Sequence, residues 1–317
     1  MNAGLRRIAE AGKDLLTDLD APILNTPKWM FEIWRQQWGS DAARKIATAH
    51  MDEAPLDLTP RGDAINIARQ TNGELLTTGS IRLTRKGRIE DIPGYREGDW
   101  WVQDAAAALP VQLLGDIKGK NIADLCAAPG GKTLQIAAAG AKVTAIDSSE
   151  NRLKRLRENL ARTGLEANIV ADDALSWRPP QAPDMILIDA PCNATGTIRR
   201  HPDLTRTRNP ARADQFVDLQ AKLLDQAAHI LSPDGTIVFC TCSLDWREGE
   251  NQITAFLDRH PEFRILPVSP DEIGGMKEAV TEAGCLRTLP YMTPPASGEI
   301  PVTGGMDGFF AARLVKE

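Results

Sequence analysis

Short apolar runs alternate with longer amphipathic segments between residues 121 and 240. Short apolar runs bounded by Gly or Pro predict strands, and apolar positions three to four residues apart predict the helices between them. Such short links between strands and helices favour an α/β fold with a parallel, doubly wound sheet covered by helices on both faces. The predicted strands are residues 121–126, 142–147, 168–171, 184–189 and 235–240, with helices to 139, over 149–163 and over 216–231, and a last strand within 304–315.

The first hundred residues have a different pattern. Apolar residues at helical spacing predict one helix near the N-terminus and a second from about 28 to 38, separated by Pro22 and Pro27. Residues 55–100 contain short apolar stretches punctuated by Gly and Pro, which favours a small mixed domain without a long helix.

The chain has 317 residues, a length that suits two domains. We expect a helical and small α+β domain at 1–98, which contributes to RNA binding, and an α/β domain at 99–317. Hydrophobic residues make up 42% and charged residues 25%, which is typical of globular proteins. Because the sequence has neither a long apolar run nor the apolar centre of a signal peptide, we expect a cytoplasmic protein without membrane contact.

The five cysteines are odd in number and include no C-x-x-C pair, which argues against a disulfide framework or a zinc site. We therefore expect reduced thiols with separate roles, and no metal. The cysteines are Cys126, Cys192, Cys240, Cys242 and Cys285.

The net charge of −6 argues mildly against a nucleic-acid partner, because phosphate binding favours a basic surface. Net charge, however, hides charges that are segregated along the chain. Two segments, 81–89 and 196–214, are rich in arginine and lysine. Each is either a solvated surface or part of an RNA-binding face.

A glycine-rich turn follows the first predicted strand, and acids follow the next two. Gly130 and Gly131 let a ligand approach the backbone at the start of the following helix. The turn is neither G-x-G-x-x-G nor a Walker A loop, so phosphate binding is not favoured. Asp147 can accept the two hydroxyls of a ribose, and the acids at 172–173 can meet an adenine amino group. Together these residues suit S-adenosylmethionine, an adenosine ligand without phosphates.

Two thiols follow the fourth and fifth predicted strands, Cys192 and Cys242, whereas Cys240 lies inside a strand and is expected in the core. Parallel strands bring both ends to one sheet edge, so the two thiols can converge. A thiolate that adds to carbon 6 of cytosine makes carbon 5 nucleophilic enough to attack a sulfonium methyl group. Asp189, at the end of the fourth strand, is placed to stabilise charge on the ring near N3.

Three segments together resemble the signature motifs of the RsmB/Sun-type RNA cytosine-C5 methyltransferases: 124–133 (DLCAAPGGKT), 189–192 (DAPC) and 241–243 (TCS). The segment 195–203 (TGTIRRHPD) is similar to the form in the family's ribosomal RNA member. The resemblance covers about residues 25–317. It implies a Rossmann-like class I methyltransferase sheet, mostly parallel with an antiparallel last strand.

The resemblance also implies a reaction and its residues. Cys242 would attack carbon 6, Cys192 would assist product release, and Asp189 would orient the base. The donor would be S-adenosylmethionine and the substrate small-subunit ribosomal RNA, of the 16S cytosine 967-C5 type; we expect a monomer. The implied cofactor contacts are Cys126, Ala127, Ala128, Pro129, Gly130, Gly131, Lys132, Asp147, Arg152, Asp173 and Asp189, and the implied RNA contacts are Arg199, Arg200 and His201.

Other functions stay open at this point. The target cytosine could lie in another RNA such as a tRNA, or the chain could be an RNA-binding ribosome assembly factor without turnover. Amino-group methylation needs no thiol, and a nicotinamide oxidoreductase would carry a different glycine loop. Members of the ribosomal RNA branch also usually carry an N-terminal NusB-like helical domain, for which we expect no room in this chain.

Overall fold

The structure is a computed structural model that describes residues 2–16, 18–83, 87–298 and 302–317. Arg85 and Lys86, part of the predicted basic segment 81–89, lie outside these ranges. The helices are α1 Asn2–Leu16, α2 Ala21–Asn25, α3 Lys28–Ala49, α4 Ala64–Thr71, α5 Ala105–Gln112, α6 Gly131–Ala138, α7 Glu150–Thr163, α8 Leu204–Thr207, α9 Ala211–Ile230 and α10 Glu250–Arg259. The strands are β1 Leu56–Pro60, β2 Glu74–Leu75, β3 Ile81–Leu83, β4 Trp100–Val102, β5 Asn121–Leu125, β6 Lys142–Ile146, β7 Asn168–Val170, β8 Met185–Asp189, β9 Thr236–Thr241, β10 Phe263–Ile265, β11 Leu286–Thr288 and β12 Phe309–Lys316.

The larger sheet has the strand order β10-β12-β9-β8-β5-β6-β7, with β11 also paired to β12. Strands β9, β8, β5, β6 and β7 run parallel to one another, whereas β12 is antiparallel to β9. This arrangement confirms the predicted α/β fold with a mostly parallel sheet and an antiparallel last strand.

Helices cover both faces of this sheet because its central strands are apolar on both sides. In β8, Ile186 and Ile188 face a core that is shared with α9 and α10, while Leu187 faces a second core with α5 and α6. Helix α7 packs beside α6 through a third cluster. Each fully buried large apolar side chain stabilises the fold by roughly 1.5–3 kcal/mol.

The smaller sheet is antiparallel, with strand order β2-β3-β1-β4. Its buried Arg82 donates twice to Asp57, at 2.8 Å for each bond. Asp57 also accepts from the amide of Ala105 at 3.1 Å, which ties the small sheet to the first turn of α5. Strand β4 carries this sheet through Val102, a few residues past the predicted division at 98–99.

Helix α3 is longer than predicted. The expected end at about residue 38 coincides with Gly39, whose non-helical conformation (φ 81°, ψ 169°) kinks the helix, but the chain resumes helical geometry to Ala49. Past the kink, Ala43, Ile46 and Ala47 recur at helical spacing and are buried on one side of the helix, and this packing stabilises the second half of α3. These three residues pack with four residues of the larger domain: Ile198, Leu204 at the start of α8, Leu244 and Leu289.

No helix in the part of the chain that the structure describes is long and apolar enough to cross a membrane.

Candidate active site

The strand order places the site. From β5 the chain moves outward through β6 to β7 and then returns to β8, which pairs with the other side of β5. Ligands of doubly wound sheets bind beyond the carboxyl ends of strands at such a switch point. Cys126 follows β5, Asp189 ends β8, and Cys242 follows β9, so the residues predicted for the site lie at or next to this edge.

The glycine-rich turn crosses the carboxyl ends of β5 and β6. Cys126 leaves β5 with a positive φ of 62°, and the amide of Ala127 donates to Ile146 at 3.0 Å. Gly130 precedes α6 with a φ of 107°, and a Cβ there would lie 2.3 Å from a methyl carbon of Leu156. Glycine adopts this conformation without strain, and the absence of a side chain lets Leu156 pack against the turn.

Asp147 holds the turn in place. Its carboxylate accepts from the amide of Ala128 at 3.1 Å and from that of Ser149 at 2.9 Å. Arg152 donates both to this carboxylate and to the carbonyl of Ala128, the latter at 3.0 Å. Three of the predicted cofactor contacts therefore form one connected group. Asp173, in contrast, is exposed, and its carboxylate accepts from the amide of Leu175, two residues later in the chain, at 3.0 Å.

A buried acid supports the turn from below. Asp124 is fully buried, and the hydroxyl of Thr133 donates to it at 2.5 Å. Burial raises the pKa of Asp124 to about 7 and outweighs the hydrogen bond from Thr133 and the charge of Lys132, which lower it. Its second oxygen has no hydrogen-bond partner among the described residues.

Lys132 and Asp189 form an ion pair between the turn and β8. The ammonium donates to the carboxylate at 2.8 Å and lies 4.8 Å from the centre of the Phe309 ring. Burial opposes the charge of Lys132, but Asp189 outweighs it and raises the pKa of the lysine above its usual value. The Asp189 side chain is still 36% exposed, so it can reach a bound ligand. The thiol of Cys240, buried as predicted, donates to the same carboxylate at 3.6 Å.

The two predicted reactive thiols meet. The sulfur atoms of Cys192 and Cys242 are 3.5 Å apart, and Cys242 is the more exposed of the two. The contact with Cys242, together with burial, raises the pKa of Cys192 well above its usual value. Either sulfur can donate to the other across this contact. The more exposed Cys242 is the sulfur that a ligand can reach more easily.

The predicted RNA contacts separate into three situations. The guanidinium of Arg199 is 1% exposed and donates to Asp104 at 2.7 Å, so it lies inside the protein and not on an RNA-facing surface. Arg200 is partly exposed and donates to the buried Asp307 at 2.5 Å and 2.9 Å. Asp307 raises the pKa of Arg200 against the effect of burial. His201 is exposed, and its pKa is lowered by burial and by Arg200.

Several residues of the site were not predicted. Asp104, which caps α5, and Asp307, which precedes β12, hold the two arginines after Cys192. Glu248 and Gln220 lie fully buried beneath the cysteine loops. Glu250, by contrast, begins α10 and pairs with Arg287 at 2.7 Å.

Within the described ranges, no group of three or more His, Cys, Asp and Glu side chains is arranged to hold a metal ion.

Known proteins are similar to this chain in sequence and in fold. The family model described as 16S rRNA methyltransferase RsmB/F matches residues 111–315. A ribosomal RNA small subunit methyltransferase B from Vibrio cholerae is 34% identical, over 95% of this chain and 68% of that protein. The protein of the same name from Salmonella arizonae is 39% identical, over 75% of this chain and 52% of that protein.

Among solved structures, a methyltransferase homolog protein from Pyrococcus horikoshii is 26% identical, with a TM-score of 0.75, over 94% of this chain and 98% of that one. The similarity therefore includes the small N-terminal domain as well as the large sheet. The matched part of the chain corresponds to between about half and two thirds of the length of the two curated relatives.

Proposed function

Because the chain belongs to the 16S rRNA methyltransferase RsmB/F family, we propose that it transfers a methyl group from S-adenosylmethionine to carbon 5 of a cytosine in small-subunit ribosomal RNA. The observation that carries this proposal is the 3.5 Å contact between the sulfur atoms of Cys192 and Cys242. Methylation of a nitrogen needs no thiol, whereas methylation of carbon 5 needs a nucleophile for carbon 6 and a way to remove it.

The turn and the strand-end acids would hold the donor. Asp147 would accept the ribose hydroxyls, Asp173 the adenine amino group, and the backbone amides at the start of α6 would bind the carboxylate of the methionine part. The residues fit this molecule, because carboxylates match hydroxyl and amino donors and the amides at a helix start match a carboxylate. S-adenosylmethionine supplies a sulfonium methyl group that an electron-rich carbon can attack.

In the reaction, the sulfur of Cys242 adds to carbon 6 of the cytosine, and the electron pair of the 5,6 double bond makes carbon 5 nucleophilic. Asp189, oriented by Lys132 at 2.8 Å, interacts with the ring near N3 and stabilises the charge that develops there. After carbon 5 has taken the methyl group and left the donor as a neutral thioether, a base removes the proton from carbon 5. The electron pair of that bond restores the 5,6 double bond, and the bond between carbon 6 and sulfur breaks to free the Cys242 thiolate. Cys192 assists this release because its thiol contacts the departing sulfur.

The substrate must present an unpaired cytosine, since neither sulfur can reach carbon 6 of a stacked base. We propose the cytosine at position 967 of 16S ribosomal RNA as the target. Of the three predicted RNA contacts, Arg200 and His201 are exposed, and both follow Cys192 closely in sequence. They are therefore our candidates for RNA contact. Arg199 is not a candidate, because Asp104 and Asp307 enclose it.

The test is a nucleoside mass analysis after the protein has been incubated with S-adenosylmethionine and unmodified 16S ribosomal RNA, with tRNA as a parallel substrate. New 5-methylcytidine in the ribosomal RNA supports the proposal, and its position identifies the target. Product in tRNA alone would refute the ribosomal target. RNA binding without product in either substrate would favour an assembly factor.

Variants of the thiols test the assigned roles. We expect Cys242→Ser to abolish both the product and a covalent RNA adduct, and Cys192→Ala to accumulate the adduct because release is blocked. Cys285→Ala is the matched control, since this buried thiol packs in the core and not in the site. An adduct formed without Cys242 would show that another residue is the nucleophile.

A further inference from the structure

A buried carboxylate lies beneath both cysteine loops. Glu248 is fully buried, and its carboxylate accepts from the amide of Asn193 at 3.0 Å and from the hydroxyl of Ser243 at 2.5 Å. Asn193 follows Cys192 in the chain and Ser243 follows Cys242. One side chain therefore connects the residues next to both thiols.

Further hydrogen bonds surround this connection. The hydroxyl of Thr241, the residue before Cys242, donates to the backbone carbonyl of Glu248 at 3.0 Å. The amide of Gln220 donates to the carbonyl of Pro191, the residue before Cys192, at 2.8 Å and lies 3.4 Å from the Glu248 carboxylate. Each loop is thus hydrogen-bonded on both sides of its cysteine, and Glu248 contributes hydrogen bonds to both loops.

The cost of burying this charge argues against a purely structural role. Among the described residues no cation forms an ion pair with Glu248, since the neighbouring Arg247 pairs with Asp214 and Asp245. Burial raises the pKa of Glu248 to about 7. A neutral or apolar residue would fill the same space at lower cost, because an unpaired buried carboxylate is destabilising. Its oxygens are occupied by Asn193 and Ser243, so the group does not reach a substrate and acts through other residues.

We propose that Glu248 is a positioning residue that fixes the spacing of the Cys192 and Cys242 thiols by joining the two loops that carry them. The catalytic meaning of this spacing rests on the proposed function, but the spacing itself does not. Sulfur atoms 3.5 Å apart need to approach by less than 2 Å to reach the roughly 2.05 Å of a disulfide bond. The rate at which the oxidant diamide links the two cysteines therefore reports their spacing without any methyl transfer.

The experiment measures this rate on the full chain, with mass spectrometry of peptides to identify the Cys192–Cys242 link. In Glu248→Ala we expect linking to slow on the order of tenfold, because the loops no longer share an anchor. Glu248→Asp keeps the charge but shortens the reach by one methylene, and we expect a smaller decrease in the same direction. Glu272→Ala, which removes an ion pair with Arg313 away from the thiols, controls for lost stability and should link at the unchanged rate.

A Glu248→Ala protein that is folded and links at the unchanged rate overturns the proposal. If that variant does not fold, an unchanged rate in Glu248→Asp does so. Methyl transfer to RNA is measured in parallel, where we expect kcat to fall with KM for RNA unchanged. If Glu248→Ala links slowly but the parent protein itself produces no 5-methylcytidine, the positioning role stands and the proposed function is refuted, so the two failures are distinguishable.

Discussion

Gly196→Ala tests whether the cysteine loops tolerate a small displacement. A Cβ on Gly196 would lie 1.9 Å from the carbonyl oxygen of Gly308 and 2.9 Å from that of Cys242. Both are backbone atoms, and the first distance is about 1 Å shorter than the closest approach that Cβ atoms make. The amide of Gly196 donates to Cys242 at 2.9 Å and its carbonyl accepts from Gly308 at 2.9 Å, so the same contact carries two hydrogen bonds.

The expected effects follow from this geometry. Overpacking of a tight contact costs roughly 1–3 kcal/mol, and each weakened hydrogen bond adds about 1 kcal/mol. For domains of 150–250 residues each kcal/mol lowers Tm by roughly 2–4 °C, so we expect a decrease of several degrees. A shift of about 1 Å in a catalytic group lowers the rate on the order of 100-fold. We therefore expect both a lower Tm and a rate loss on the order of 100-fold, measured at a temperature at which the variant is still folded.

The assay compares the initial rate of 5-methylcytidine formation with the thermal unfolding of the same samples. Gly62→Ala is the matched control, because a Cβ there meets nothing within 4 Å and its φ is not in the left-handed region. A Gly196→Ala protein with the Tm and the rate of the parent would refute the reasoning, since the loops would then absorb the added atom without consequence.

Three further predictions follow from buried groups. Leu244→Ala should lower the free energy of unfolding by about 2–5 kcal/mol in urea titrations, because this fully buried side chain, two residues after Cys242, packs against α3. Lys132→Met should change the free energy of unfolding by less than about 2 kcal/mol, since the exposed part of Asp189 can hydrate. It should reduce the rate of methyl transfer strongly, because Asp189 loses its orientation; an unchanged rate would contradict this. Asp124 has a pKa raised from 3.8 to about 7, so its stabilising effect is complete below pH 3.8 and is lost as pH rises toward 7. Asp124→Asn should therefore flatten the decrease in unfolding free energy over that interval, and an unchanged slope would be the contrary result.

The sequence predicts those parts of the molecule that depend on local pattern. The central strands follow from short apolar runs, and the meeting of Cys192 with Cys242 follows from two neighbouring parallel strands that end at one edge. The glycine turn is recognisable because Gly130 has a conformation that other residues avoid. In each case the decisive pattern is local, because each strand and each strand end is recognisable from its own few residues.

Features that depend on distant partners were not predictable. Glu248 stands in a polar segment (DWREGEN) that gives no sign of burial, and its burial arises only when Asn193 and Gln220 pack over it. Arg199 belongs to a basic segment, yet Asp104, 95 residues earlier in the chain, draws it inside. The kink at Gly39 resembles a helix end in the sequence, and only the packing of the following turns continues α3.

Helix α3 belongs to the N-terminal part of the chain by sequence, but its apolar side lies against Leu244, two residues after Cys242, and against Ile198. The chain is therefore not modular at the point where its sequence pattern changes. A chimaera that exchanged the first hundred residues between two relatives to alter RNA preference would also exchange the support of its own catalytic loop. Inherited changes in α3 and in the segment after Cys242 would be constrained to occur together.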